Sequence, residues 1–178
     1  MPPPPTADRF DLAGRVALVT GGSRGLGRAI VGGLAAAGAD VVIASRNIDS
    51  CRAAAADVER STGRRALAYE CHVGKWDEIG GLVDAAYARF GRIDILVNNA
   101  GVSPRYEDLA AVSEQLWRKV IDVNLTGPFR LSVIVGGRMA EGAGGSIINI
   151  GSVGSLYPSG DIVPYAAAKA GLNALTTG

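Results

Sequence analysis

The sequence predicts an α/β fold in three layers, with helices on both faces of a mostly parallel sheet. From residue 15 onward, short β-branched runs alternate with longer helical patterns, the rhythm of successive βαβ units. The strand candidates are near-continuous apolar runs, as strands covered on both faces should be. The 178 residues also include 25 glycines with no collagen-like period, which favours tight turns and close backbone approaches.

Five strands are expected, at Val16 to Thr20, Val41 to Ser45, Ala66 to Glu70, Ile93 to Asn98 and Ser146 to Ile150. Helices are expected between them from about Gly25 to Ala37, Asp49 to Ser61, Trp76 to Phe90 and Ser113 to Ala140. Gly38, Gly63 and Gly91 stand where left-handed helix stops are wanted. Asp49 or Ser50, and Ser113, can cap helix starts. In the long fourth helix Gly127-Pro128 removes a backbone donor and predicts a kink. A last helix is expected from Pro164, a residue suited to a first turn, to Gly178. These elements predict a Rossmann-type sheet in the order 3-2-1-4-5. Right-handed crossovers then bring the carboxyl ends of strands 1, 4 and 5 to one rim, where ligand chemistry belongs.

Composition narrows the class. At 48% hydrophobic and 20% charged the chain reads as an ordinary globular domain, taken as residues 10–178. A formal charge of +1 offers no basic excess for a phosphate backbone, so nucleic acid is not an expected partner. Cys51 and Cys71 cannot make a disulfide framework, which suits a reducing compartment. Met1-Pro2-Pro3-Pro4-Pro5 lacks a basic segment and an apolar stretch, so residues 1–9 read as a disordered Pro-rich tail and not a signal peptide. No run approaches the roughly eighteen apolar residues of a membrane helix. A cytoplasmic protein with no membrane partner is expected.

Thr20-Gly21-Gly22-Ser23-Arg24-Gly25-Leu26-Gly27 joins the first strand directly to the first helix. A helix start offers free N–H groups and a partial positive charge, so a pyrophosphate can bind there without a dedicated cation. The spacing is G-x-x-x-G-x-G, not the commoner G-x-G-x-x-G. Gly21, Ser23, Arg24, Gly25, Leu26 and Gly27 are the candidate cofactor contacts. An acidic residue at the tip of the second strand would bind the ribose 2′-hydroxyl of NAD, but this chain reads Ser45-Arg46 there. Arg46 and Arg24 offer guanidinium groups for a 2′-phosphate, so NADP is expected in preference to NAD. The plain alternative is two solvated surface charges.

Tyr165-Ala166-Ala167-Ala168-Lys169 sets a phenol and an ammonium four residues apart on one helix face. A free tyrosine titrates near pH ~10, and a neighbouring ammonium favours the phenolate. Ser152, just past the fifth strand, can hold a substrate carbonyl. Ser155 competes for that role, and either serine can instead satisfy local backbone groups.

Taken together these motifs resemble the short-chain dehydrogenase/reductase family, over about Leu12 to Gly178. They are Thr20-Gly21-x-x-x-Gly25-x-Gly27, Asn98-Asn99-Ala100-Gly101, Ser152 and Tyr165-x-x-x-Lys169, in the family's order. The resemblance selects Ser152 over Ser155 by its separation from Tyr165. It also implies that Asn98-Asn99-Ala100-Gly101 ends the fourth strand beside the cofactor ribose and steadies the central sheet, with Asn98, Ala100 and Gly101 as candidate cofactor contacts. Asn124, in Asp122-Val123-Asn124-Leu125, matches a fourth catalytic position, where an asparagine supports a water leading toward the lysine. The implied reaction is hydride transfer between nicotinamide and a small carbonyl or alcohol, as in 3-oxoacyl carrier-protein reductases. Tyr165 is then the general acid or base, and Lys169 also binds the nicotinamide ribose.

Two departures stand out. Where the family often has an aspartate after strand 3, this chain reads Cys71-His72-Val73. His72 and Val73 remain candidate adenine contacts, with His72 either hydrogen bonding there or packing at the strand end. No metal is expected, because no second ligand cluster accompanies Cys71 and His72. The family also continues with two more strands that are lacking here, so the fifth strand is expected to present a hydrophobic edge. A homo-oligomer is expected if the family's full-length architecture is present. The alternative to an enzyme is a dinucleotide-binding fragment or remnant without turnover.

Overall fold

The computed structural model describes residues 10–178, so the expected tail over 1–9 lies outside the described residues. Five parallel strands form one sheet in the order β3-β2-β1-β4-β5. They are β1 (Val16–Thr20), β2 (Asp40–Ser45), β3 (Ala66–Glu70), β4 (Ile95–Asn98) and β5 (Ser146–Asn149). The predicted strand order is the observed one.

The helices are α1 (Gly25–Ala36), α2 (Ile48–Thr62), α3 (Trp76–Phe90), α4 (Glu114–Ile121), α5 (Gly127–Ala140) and α6 (Val163–Thr177). On α1, Gly27, Val31 and Ala35 are buried at four-residue spacing, one stripe facing the sheet. With α2 they cover the face carrying Ala17, Val19, Val41, Ile43 and Val97. On the other face α3 and α5 pack Ile79, Leu82, Val83, Leu131 and Val135 on Leu18, Val42 and Leu96.

Gly63 and Gly91 end α2 and α3 in the left-handed conformation, with φ of 68° and 77°. Ser113 caps α4 as expected, its hydroxyl accepting from Leu116 N–H at 3.1 Å. The cap of α2 is neither Asp49 nor Ser50. It is Asn47, whose Oδ1 accepts from Ser50 N–H at 2.8 Å, because half-buried Ile48 joins the helix and moves its start forward.

The kink expected at Gly127-Pro128 is a widened π turn upstream, over Asp122–Thr126, between α4 and α5. Pro128 has no N–H for the carbonyl of Asn124 four residues back, and its ring crowds that carbonyl. The turn absorbs both faults by lengthening, with Gly127 N–H donating to Asp122 C=O.

The two edge strands depart from the expected burial on both faces. All of β3 is at best half-buried. On β5, Ile147 packs against the α5 side, while Ile148, beside Val97 on the α1 face, is 42% exposed. Asp94 ties the starts of β1 and β4 together. Its buried carboxylate accepts from Val16 N–H at 2.9 Å, Arg15 at 3.0 Å and Arg92 Nε at 2.8 Å. No helix is long and apolar enough to cross a membrane among the described residues.

Candidate active site

A cleft of about 520 Å³ opens at the carboxyl ends of β1, β2, β3 and β4. Its floor is the turn between β1 and α1. Arg24 occupies the N-cap position of α1 without a side-chain cap, and the first helical bond runs from Arg28 N–H to Arg24 C=O at 3.2 Å. The amides of Gly25 to Gly27 precede that ladder, so they are the donors a helix start leaves for an anion.

Two glycines are required for different reasons. Gly25 has a φ of 54° with open space around it, a left-handed position where any Cβ is strained. At Gly27 a Cβ would stand 2.5 Å from Asn99 Nδ2 and closer still to the carbonyl of Gly21. Gly27 is thus packed on the backbone of Gly21 within the turn and on the Asn99 side chain at the end of β4. Asn99 holds the turn to β4, its Nδ2 donating to Thr20 C=O at 2.8 Å and Gly21 C=O at 3.3 Å. Thr20 Oγ1 in turn accepts from the N–H groups of Asn99 and Ala100, both at 3.1 Å.

The cleft gathers most of the expected cofactor contacts: Gly21, Ser23, Arg24, Gly25, Leu26, Gly27, Arg46, His72, Val73, Ala100 and Gly101. Arg24 and Arg46 are exposed on its wall, and neither has a carboxylate partner among the ion pairs of the described residues. Ser23 Oγ donates to Ser45 Oγ at 2.9 Å, tying the turn to the tip of β2. His72 is already engaged, its Nδ1 accepting from Gly74 N–H at 3.2 Å. Cys71 also lines the cleft; burial, aided by Glu78, pushes its thiol up to about 11.

Asn98 is placed differently from the expectation. Its side chain is buried within the fold and does not line the cleft. Nδ2 donates to Asn149 Oδ1 at 2.8 Å and Ser132 Oγ at 3.2 Å. Asn99, which the resemblance set beside the ribose as part of its motif, takes the place on the wall, together with Ser45, Asn47, Ser50, Val102 and Val123, which were not expected as cofactor contacts. The polar Ser45-Arg46-Asn47 run was the available signal, but only its arginine carried a specific chemistry.

The proton-transfer candidates lie outside this cleft wall. Lys169 is 3% exposed, and burial holds its ammonium below the ordinary lysine value. Its Nζ donates to Ile150 C=O at 2.6 Å and lies 5.8 Å from the Tyr165 ring centroid. That bond anchors the face of α6 to the segment just beyond β5, two residues before Ser152. Ser152 Oγ accepts from Gly154 N–H at 3.1 Å, which leaves its proton to donate elsewhere. Ser155 is fully engaged, donating to Ser152 C=O at 2.6 Å and accepting from Asn173 Nδ2 at 2.8 Å.

Asn124 is completely buried in the π turn. Its Oδ1 accepts from Val102 N–H at 3.2 Å, and its Nδ2 donates to the carbonyls of Val102 and Val120, each at 2.8 Å. The side chain is therefore consumed in ordering the segment after β4.

A family model described as short chain dehydrogenase matches residues 15–178. The short chain dehydrogenase/reductase astE of Aspergillus oryzae is 40% identical over 169 residues, covering 94% of this chain and 65% of that protein. A 3-oxoacyl-[acyl-carrier-protein] reductase of Synechocystis is 38% identical over 165 residues, covering 93% of this chain and 66% of that protein. The chain thus spans just under two thirds of the length of these curated relatives. Among solved structures, a metagenomic short-chain oxidoreductase in complex with NADP superposes with a TM-score of 0.89 at 37% identity, covering 93% of this chain and 75% of that one.

Proposed function

The chain belongs to the short-chain dehydrogenase family, and on that premise we propose that it transfers hydride between NADP(H) and a small carbonyl or alcohol. NADP(H), when bound, supplies or takes up the hydride. The observation that carries the reading is Lys169, a buried ammonium anchored on Ile150 C=O with Tyr165 beside it. In reduction the phenol of Tyr165 gives its proton to the substrate oxygen, and in oxidation the phenolate takes it back. The Lys169 charge favours the phenolate in either direction. Ser152 donates its free proton to the same oxygen and stabilises the charge developing there.

The residues present suit a dinucleotide. The cradle at Gly27 has no room for a Cβ, the amides of Gly25 to Gly27 suit the pyrophosphate, and Arg24 and Arg46 stand free for a 2′-phosphate. Preference for NADP over NAD rests on those two arginines, and the NADP-bound metagenomic neighbour is consistent with it. A 3-oxoacyl thioester is the substrate class we favour, in line with the Synechocystis relative. We read residues 10–178 as one cofactor-binding domain, acting in the cytoplasm as part of a homo-oligomer.

The test follows nicotinamide absorbance with 3-oxoacyl thioesters, ketones and alcohols, in the wild type and Tyr165→Phe. NADPH-dependent turnover that Tyr165→Phe abolishes is expected. Equal rates in the two proteins would remove Tyr165 from the chemistry. NADPH binding without turnover on any substrate would indicate a dinucleotide-binding module instead.

A further inference from the structure

We propose that Tyr106 is a positioning residue that fixes Tyr165 by capping α6 from a distant loop. This rests on the reading of Tyr165 as the acid–base group. Helix α6 begins without a cap of its own. Its N-cap residue is Ile162, with no side chain to accept a hydrogen bond, and Pro164 in its first turn has no N–H. The helix start directly before Tyr165 is therefore short of local partners, whereas Asn47 and Ser113 cap α2 and α4 locally.

Tyr106 fills the gap from 57 residues away. Its Oη accepts from Val163 N–H at 2.8 Å, and the same hydroxyl donates to Gly160 C=O at 2.7 Å. One phenol thus holds both sides of the bend that leads into α6, and it uses its proton and a lone pair to do so. Tyr106 and Tyr165 also line the same small cavity, together with Ile162 and Pro164. The segment carrying Tyr106 follows Val102, which Asn124 ties to the π turn. Tyr165 is consequently positioned by two successive links, Asn124 to Val102 and Tyr106 to Val163, and not by α6 alone.

Phenylalanine at position 106 keeps the ring and deletes both bonds. In Tyr106→Phe, amide hydrogen exchange at Val163 is expected to rise at least about tenfold, since the donor loses its partner. The kcat is expected to fall about ten- to a hundredfold, as misplacing a reacting group by an ångström does, while NADPH Kd stays within about twofold. Circular dichroism and exchange elsewhere in the chain check that the variant is folded. Unchanged exchange at Val163 overturns the cap whatever the turnover. Faster exchange with kcat unchanged, in an enzyme that Tyr165→Phe inactivates, overturns positioning but leaves the function intact. Turnover unaffected by Tyr165→Phe overturns the role of Tyr165, and positioning with it.

Discussion

Lys169 Nζ donates to the Ile150 carbonyl at 2.6 Å, so the ammonium on α6 is fastened to the backbone that leads out of β5 toward Ser152. The bond satisfies a charge that is otherwise nearly out of solvent, at 3% exposure, and burial accordingly lowers its pKa from 10.5. The unfolded chain then holds more protons than the native one as pH climbs from that lowered value toward 10.5. By linkage, the Lys169 contribution to stability rises with pH across this window. Urea unfolding of wild type and Lys169→Met at a series of alkaline pH values should show the wild type gaining on the variant there. A difference that stays flat would refute the depressed lysine.

Asp94 gives the opposite window. Burial pushes its carboxyl up, but Arg92, the Val16 N–H and Arg15 together outweigh burial and hold it below 3.8. Its contribution is complete above pH 3.8 and is lost as pH falls through the lower native value. Asp94→Asn should cost about 2 kcal/mol at neutral pH, from hydrogen bonds to a charged acceptor. Denaturant midpoints should converge for the two proteins in strong acid.

The two glycines of the turn should respond differently. Gly27→Ala forces a methyl against Asn99 and Gly21 and should lower stability by about 2 kcal/mol, seen as a drop in Tm without ligand. Gly25→Ala meets no neighbour within 4 Å, so only its left-handed φ is penalised, at about 1 kcal/mol. NADPH fluorescence titration should show weakened binding in both.

Arg46→Asp should reverse cofactor choice. Loss of a charge-assisted contact and gain of a like charge should raise the NADPH Kd roughly ten- to a hundredfold, with NADH unchanged or tighter. An unaltered NADPH preference would show that the guanidinium is only a solvated charge.

The two serines can be separated by kinetics. Ser152→Ala should lower kcat about a hundredfold or more, as loss of an oxyanion donor does. Ser155→Ala should lose about 1 kcal/mol of stability, having both its hydrogen bonds inside the protein, and should keep most of its kcat.

The sheet was legible because its strands and helices announce themselves by period and by glycine stops, as at Gly63 and Gly91. Burial of the edges was legible only in part: the fifth strand shows the hydrophobic edge expected of it, but which of its isoleucines lies open could not be read. Ile148 and Ile147 are indistinguishable as letters, yet only one is covered, since coverage depends on which helix crosses above. Pro128 marked a disturbance correctly, but the backbone relieved it upstream, where no residue type signals a π turn. Within the cleft, Gly25, Gly27 and Arg46 could be chosen from chemistry alone. Asn99 could not be told from Asn98, because a change of one position along a strand end moves a side chain from the core to the rim. Tyr106 left no signal at all, since its partners are 54 and 57 residues distant.

The bond between Asn98 and Asn149 has one more consequence. Each carboxamide sits opposite the other in the β4–β5 ladder, and Asn149 passes the chain on to Thr176 of α6 at 2.9 Å. Sliding β5 by one residue would set Ile148 against Asn98 and leave the buried Asn98 carboxamide without its partner. An edge strand with one half-open face has little apolar burial to fix its alignment. This pair of polar side chains acts as the latch that keeps Ser152, three residues further on, at a single height above the sheet.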